Sequence, residues 1–409
     1  MAFTKATFDY LDSGGLINWQ LTAKTAAFTA VSGEGYLVDT TSAAITVTLP
    51  AAPSAGDEII IVDYASNAGT NNITLDPGTL NLRGATDDLV LSTNNQTAKL
   101  LYSGATKGWL VTTEAGAGAG AAAAVPLTVD YLVVAGGGGG AGSAGGGGGA
   151  GGLRTSYTLP TGNSGGGASA ETSLSLSTST NYTVTIGPGG ARGNGTSDGS
   201  NGSNSVFSTI TSIGGGAGDH NQDSDGGNDG GSGGGSDIFF TNGGGSGTAN
   251  QGYNGGTAGG GASSAGGTGQ GGAGGAGLAV NILNSTNANN QSVGQVSSTD
   301  VYYSGGGGAS GDSTYGTGGI GGGGSGGQGT STNGSNGAPN TGGGGGGGWN
   351  SASNMLGGIG GSGVVILRYP DAYTINETTS AQLTFNTYTE GSDKVTVFTG
   401  GDGTIEFTL

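Results

Sequence analysis

The 409-residue sequence contains no cysteine, a single histidine (His220) and only 9% charged residues. Without cysteine, the chain can form neither disulfides nor thiolate metal sites. No run of 18 apolar residues occurs, so we predict no transmembrane helix and no membrane insertion. The N-terminal stretch "MAFTKATFDYLDSGG" lacks an apolar segment, and we therefore expect no Sec-type signal peptide.

Basic residues are also scarce. Lysine and arginine number 9 against 27 acidic residues, which gives a formal net charge of −18. Proteins that bind nucleic acid need clustered lysine and arginine to displace counterions. We therefore expect no nucleic-acid partner, and the negative charge is explained by solubility of the particle.

Glycine is the abundant residue, and its distribution is uneven. Of the 100 glycines, 85 lie between positions 117 and 363. No strict three-residue G-x-y repeat accompanies them, and the whole chain has only 8 prolines, which excludes a collagen triple helix. Two interpretations remain for this region, a flexible linker or an ordered structure that only glycine can form.

The flanking regions have β character. Residues 1–116 contain short alternating segments such as "GYLVDTTSAAITVTLP" and "GDEIIIVDYAS", which predict an all-β domain, a small sandwich or barrel-like module, with Trp109 in its core. Residues 117–127 are predicted to be a linker. Residues 371–409 predict a small C-terminal β element, with a hairpin turn at "GGDG" (400–403). Almost no α-helix is expected.

Residues 128–370 form the glycine-rich domain. The apolar strands "TVDYLVVAG" and "GVVILRYP" bracket it, and "YTVTIGPGG" lies within it. A flexible linker has no need for such strands, or for aromatic residues at the ends of its glycine runs. These features favour the ordered interpretation.

The nucleotide-binding and enzyme motifs in the sequence lack the flanking secondary structure that such sites require. The strand at 131–135 leads into a glycine run where a dinucleotide-binding fold would need a helix, and no P-loop sequence occurs. The pattern G-x-S-x-G recurs in this glycine-rich sequence, for instance at 195–199, 230–234 and 323–327, without the strand and helix of a nucleophile elbow. His220 lies in a polar loop with no evident serine partner. We predict no catalytic residues, no enzyme activity and no cofactor.

One acidic loop carries a weak calcium hypothesis. Asp223, Asp225 and Asp229 follow a D-x-D pattern with nearby glycine. The glutamate at the twelfth position of an EF-hand and the nine-residue repeat of calcium-binding β-rolls are both missing. A solvated acidic loop is the simpler interpretation, and a weak calcium site is the alternative.

Glycine runs can form a lattice that other residues cannot. A polyproline-II helix has three residues per turn and no internal hydrogen bonds. A run of glycines in this conformation has no Cβ on any face, so several runs can pack closely and bond through their main chains. Ordering one residue costs about 1–2 kcal/mol and one hydrogen bond returns about 0.5–1.5 kcal/mol. Only a lattice with nearly all buried groups paired can therefore be stable.

The motifs resemble a known family. "VDYLVVAGGGGG", "TVTIGPGG", "NGSNSVF", "TGGGGGGG" and the closing "GGSGVVILRYP", which together span about 130–370, resemble the receptor-binding region of tailed-bacteriophage tail-fibre adhesins of the polyglycine-II sandwich type. The N-terminal region looks like a β module of phage virion proteins. The resemblance implies a polyglycine-II helix lattice as scaffold, with loops at one end that contact a host receptor.

That resemblance implies a functional assignment. We expect a virion tail-fibre protein, assembled in the host cytoplasm, which docks to other virion proteins through residues 1–116 and recognises an outer-membrane protein or surface glycan. A homotrimer is left open, since phage fibres are often trimeric. The alternative is a structural or decoration protein, such as a head fibre, without a specific receptor. Aromatic residues in polar loops are the candidate receptor contacts, with packing on the lattice as their other interpretation: Phe239, Phe240, Tyr253, Tyr302, Tyr303, Tyr315 and Trp349.

Overall fold

The computed structural model describes residues 17–115, 127–220, 226–239, 243–329, 332–349, 355–379 and 382–409. Internal contacts divide the chain into two compact units, Met1–Ala124 and Val125–Leu409. Most of the predicted linker, positions 117–126, lies outside the described residues. Its last residue, Leu127, is buried in the core of the second unit.

The N-terminal unit consists of two β-sheets that share one core. Its described strands are β1 (Asn18–Lys24), β2 (Phe28–Thr29), β3 (Glu34–Val38), β4 (Ile45–Thr48), β5 (Glu58–Asp63), β6 (Ile73–Asp76), β7 (Leu89–Leu91), β8 (Thr97–Tyr102) and β9 (Trp109–Ala115). The first sheet has the order β1-β3-β5-β8-β9 and the second β2-β4-β6-β7. Strands β1, β3 and β5 run parallel, as do β2, β4 and β6. The chain therefore coils between two sheets, and the barrel-like alternative is wrong.

Buried and less buried side chains alternate along these strands, and the buried ones pack on the shared core. In β5, Ile59 and Ile61 are fully buried while their neighbours are half-buried, as expected for a strand with one face on a core. Trp109 is fully buried and its ring meets that of Tyr102 edge-on at 5.3 Å. The prediction that Trp109 belongs to the core is confirmed.

The second unit contains three further sheets and one α-helix among its described residues. Its elements are β10 (Thr128–Val134), β11 (Leu153–Thr155), a 3₁₀ turn (Gly165–Gly167), β12 (Leu174–Ser175), β13 (Tyr182–Thr185), β14 (Ser205–Phe207), β15 (Ile210–Ser212), β16 (Leu278–Ala279), α1 (Ser285–Gln291), β17 (Gln295–Ser297), β18 (Asp300–Tyr303), β19 (Val364–Pro370), β20 (Thr374–Glu377), β21 (Thr384–Glu390), β22 (Asp393–Gly400) and β23 (Asp402–Thr408). The sheet orders are β11-β10-β19-β22-β21 with β12 beside β10, β15-β14-β13-β23-β20, and β16-β18-β17. The expected near-absence of α-helix is confirmed.

The sheet built on β10 and β19 is covered on both faces. Tyr131 and Leu367 pack on the β13 sheet, while Leu132 and Ile366 pack on the small β18 sheet and α1. A strand buried on both faces reads as a continuous apolar run rather than an alternating one. This explains the sequences "YLVV" and "VVIL" that bracket the glycine-rich domain.

The C-terminal strands join these sheets. Strand β22 pairs with β19, and β23 pairs with β13. The hairpin predicted at "GGDG" is wrong, because the chain crosses from one sheet to the other there, with Gly401 at φ +101°. Strands that change sheets at a corner are common where two sheets pack together. The tight hairpin lies earlier, between β21 and β22, with Gly391 at φ +71°.

Between the strands, the glycine runs form a lattice with three-residue periodicity. The N–H groups at positions 136, 139 and 142 donate to one neighbouring run (197–203), those at 137 and 140 to a second (358–361), and those at 138 and 141 to a third (146–149), at 2.8–3.1 Å. The carbonyl groups of the same run accept from 190–193, 215–218 and 345–348. The run thus has six neighbours and bonds in three directions, which is the polyglycine-II arrangement expected of a three-fold helix.

Bare backbone is a steric requirement of this packing. A Cβ added to Gly137, Gly138 or Gly139 would lie 2.2, 2.1 or 1.9 Å from a carbonyl oxygen of a neighbouring run. Every residue from position 131 to 153 is buried. The interior of the lattice is therefore made of main chain, and its hydrogen bonds replace the side-chain contacts of an ordinary core.

Asparagine and aspartate close two outer edges of the lattice. The side-chain oxygens of Asp198, Asn201 and Asn204 accept from the N–H groups of His220, Ala217 and Gly214 at 2.7, 2.8 and 2.9 Å. Those of Asn333 and Asn336 accept from Leu356 and Ile359 at 3.0 and 2.9 Å. At these edges a side-chain oxygen takes the place of a carbonyl that a further run would supply. We call these two series the edge ladders.

Candidate functional site

The runs have two distinct ends. At the sheet end they continue into strands, since Gly136 follows β10 and Gly363 leads into β19. The opposite end, here named the distal end, consists of turns that include the described residues 142–145, 193–197, 236–239, 310–315, 328–329, 348–349 and 355–356. These turns are bonded to one another: the Ser143 N–H donates to Gly195, and the Gly195 N–H to Met355, at 2.8 and 3.0 Å. The lattice therefore fixes the distal turns in place.

Two of the predicted aromatic residues meet at the distal end. The rings of Phe239 and Trp349 lie 6.1 Å apart at 43°. Trp349 is nearly buried, with 7% exposed, while Phe239 is 54% exposed. The Phe239 N–H donates to Oδ1 of Asp237 at 2.6 Å. The exposed phenyl ring is thus held by a buried indole beneath it and by a main-chain bond.

A cavity of about 330 Å³ lies beside Phe239. Its described lining is Ser236, Ile238, Phe239, Gly243, Gly244, Gly255, Gly256, Thr257, Thr268 and Gly269. Within this described lining there is no charged side chain. The cavity offers an aromatic ring, threonine methyl groups and glycine backbone, a surface suited to an uncharged apolar group.

The other candidates are distributed between both ends. Tyr315 lies at the distal end and is 48% exposed. Tyr253 is half-buried on a glycine run, and Tyr302 is half-buried in β18 at the sheet end. Phe240 lies outside the described residues.

The structure contradicts the assignment of Tyr303 to the predicted receptor site. Its side chain is fully buried in the core beneath the β18 sheet, and that burial raises its pKa. A residue in this position cannot contact a receptor, so its assignment to the site is wrong. In the sequence "DVYYSGG" the two adjacent tyrosines point to opposite faces of a strand, and only one face of β18 is open.

Acidic residues dominate the charge near the distal end. Asp198, Asp237 and Asp312 lie there, with Arg192 as a nearby basic residue. Of the calcium candidates, Asp223 and Asp225 are outside the described residues, and the carboxylate of Asp229 accepts from the Ser246 N–H at 2.6 Å. In the part of the chain that the structure describes, no three metal-ligating side chains cluster.

His220 is buried near the distal end. Its main-chain N–H donates to Asp198, and neither ring nitrogen has a hydrogen-bond partner among the described residues. An imidazole that acts as a base needs a nucleophile within hydrogen-bonding reach. Its described surroundings therefore provide no base–nucleophile pair.

Comparison with protein families identifies the larger part of the chain. A model described as "Glycine-rich domain" matches residues 112–370, more than half of the sequence. The chain belongs to the glycine-rich domain family. The matched region of this glycine-rich protein contains the complete lattice and ends with β19. No curated protein matches the chain significantly. Among the described residues, no helix has the length and apolar character needed to span a membrane.

Proposed function

We propose that this chain is the receptor-binding protein of a tailed-bacteriophage fibre, and that its distal end contacts a host surface receptor. The observation that carries the proposal is the exposed Phe239 ring, supported by Trp349 and placed on a lattice bonded through its main chain. Loops held by a rigid scaffold lose little entropy on binding, and exposed aromatic rings are frequent anchors of interfaces.

The charge of the distal end favours one class of receptor. Asp198, Asp237 and Asp312 would repel a phosphate-rich glycan, whereas the neutral cavity beside Phe239 suits an apolar group. Of the two receptor classes, an outer-membrane protein loop is therefore favoured over an anionic surface glycan. The N-terminal two-sheet unit would dock to the virion in this proposal.

The experiment measures binding of the labelled full-length protein to outer-membrane vesicles from a panel of Gram-negative bacteria. We expect saturable binding to at least one strain, reduced about tenfold or more by Phe239→Ala. The matched control is Leu159→Ala, because Leu159 is 58% exposed in the same unit but outside the distal end. Binding unaffected by Phe239→Ala would contradict the proposal. Binding to no strain would favour the alternative, a virion structural or decoration protein.

A further inference from the structure

A second cavity lies at the sheet end of the runs, opposite the distal end that carries Phe239 and Trp349. It has a volume of about 260 Å³ and is bounded by β11, by residues just after the 3₁₀ turn and by the turn at 249–251. Its lining is Arg154, Ala168, Ser169, Glu171, Ala249, Asn250 and Gln251. All of these residues are described, and none belongs to the receptor site proposed above.

The charged groups of this cavity neutralise each other. Arg154 donates from Nε to Oε1 of Glu171 at 2.8 Å and from Nη2 to Oε2 at 2.6 Å. The Tyr131 hydroxyl donates to Oε2 as well, at 2.8 Å. Because both carboxylate oxygens are engaged and the formal charges cancel, the cavity favours neither a free cation nor a free anion.

The remaining polar groups are neutral and available. Oε1 of Gln251 accepts from the Ile213 N–H at 2.8 Å, and the NH₂ group of Gln251 makes no hydrogen bond with the described residues. The Ser169 hydroxyl and the Asn250 carboxamide also make no hydrogen bond within the described chain. Ala168 and Ala249 are the apolar residues of the lining.

The backbone around these groups is held rigidly. The Gln251 carbonyl accepts from the Leu153 N–H at 3.1 Å, and the Gly166 N–H donates to Ala262 at 2.9 Å. Asn250 has φ +63°, a left-handed conformation that asparagine tolerates well. The backbone that carries the lining side chains is therefore already in position before a ligand arrives, which lowers the entropic cost of binding.

We propose that this cavity binds one neutral pyranose ring. A sugar presents hydroxyl groups that both donate and accept, and a C–H face that packs on methyl groups. The free carboxamide and hydroxyl groups match the first property and the two alanines match the second. The volume lies just below the range typical of sites for drug-sized ligands, as expected for a single ring. This site is independent of the proposed receptor contact at the distal end.

The test is titration of the ¹⁵N-labelled full-length protein with glucose, galactose, mannose or N-acetylglucosamine, observed through the side-chain amide signals of Gln251 and Asn250. We expect saturable shifts with at least one of these sugars. N-Acetylneuraminic acid, an anionic sugar, is expected to bind more weakly. Comparison of the free sugar with its methyl glycoside then distinguishes a free monosaccharide from the end of a glycan chain, and either result supports the site.

Two variants that fill the cavity, Ser169→Phe and Ala249→Leu, are expected to abolish the shifts. Thr178→Phe is the matched control, because Thr178 is exposed in the same unit but does not line the cavity. Unchanged glycine amide signals verify that each variant remains folded. The proposal is overturned if no neutral sugar shifts these signals, if only the anionic sugar does, or if the shifts persist in both cavity-filling variants.

Discussion

At the scale of single residues, the missing Cβ of glycine is the chemical basis of this fold. Gly148 shows the constraint. Its N–H donates to Gly345 at 2.7 Å, its carbonyl accepts from Gly307 at 2.9 Å, and an added Cβ would lie 2.1 Å from the Gly138 carbonyl oxygen. The three atoms nearest to this Cβ all belong to backbone, which cannot move aside as a flexible side chain can. Any substitution must therefore displace a whole neighbouring run.

We predict that Gly148→Ala destabilises the second unit by about 3 kcal/mol or more, at the upper end of the usual cost of overpacking. Gly400→Ala is the matched control, because its added Cβ would meet nothing closer than Thr384 at 3.9 Å. The control should change stability by less than about 1 kcal/mol. Thermal unfolding monitored by calorimetry gives the comparison. Equal stability of the two variants would mean that the runs do not pack as closely as described.

A second prediction at this scale concerns a buried tyrosine of the N-terminal unit. Burial of Tyr36, together with its hydrogen bond to the Glu34 carboxylate, raises its pKa to about 12. The unfolded chain has a tyrosine pKa near 10. Because the folded pKa is the higher one, the protonated hydroxyl stabilises the fold below pH 10, and that contribution is lost as the pH rises from about 10 to 12.

The measurement is a pH titration of the protein with ¹³C-labelled tyrosine rings. The Tyr36 signal, assigned through Tyr36→Phe, should move with a midpoint near pH 12. Tyr36→Phe should also remove that part of the stability loss which this residue causes between pH 10 and 12. A midpoint near pH 10 for Tyr36 would contradict the prediction.

At the scale of elements, the sequence predicts strands well where their side-chain pattern is local. The apolar runs of β10 and β19 and the alternation of β5 are visible in the sequence, and these elements occur where expected. Parallel pairing of β1, β3 and β5 could not be predicted, because it depends on contacts between distant segments. The sequence "GGDG" predicts a hairpin, but at Gly401 the chain passes from the sheet of β22 to the sheet of β23. The same glycine and aspartate residues suit both kinds of connection.

The edge ladders were missed although the sequence carries their signal. In "DGSNGSN" (198–204) and "NGSN" (333–336), asparagine or aspartate recurs at every third position, which is the period of a polyglycine-II helix. On an outer run, one of three faces lacks a neighbour. A side-chain oxygen on that face can accept the N–H of the adjacent run, as Asn336 does for Ile359.

We predict that Asn336→Ala exposes the Ile359 N–H and accelerates its amide exchange, with a loss of about 1 kcal/mol of stability. Asn336→Asp should restore slow exchange, because a carboxylate oxygen can accept the same bond. Amide exchange at Ile359, measured by NMR, separates the two variants. If the aspartate variant exchanged as fast as the alanine variant, the hydrogen bond would not be the cause.

At the scale of the whole molecule, the directions of the runs determine which loops come together. Phe239 and Trp349 are 110 positions apart in sequence, yet both follow runs that end at the distal end. Tyr302 and Tyr303 belong to a strand at the sheet end. Composition could identify aromatic residues beside glycine runs, but not the end at which each one lies, because every turn reverses the direction of the chain.

The last prediction concerns cooperativity. Most neighbours of the run at 136–142 are distant from it in sequence, so this run cannot open without exposing unpaired main-chain groups in several others. We therefore expect the amides of residues 136–152 to exchange as slowly as Leu132 in β10, with protection of about 10³ or more. Gly148→Ala should lower protection throughout this segment together, whereas Gly400→Ala should not. Hydrogen–deuterium exchange of the full-length protein is the measurement. Rapid exchange of residues 136–152 beside a protected β10 would show that the glycine runs do not unfold as one cooperative unit.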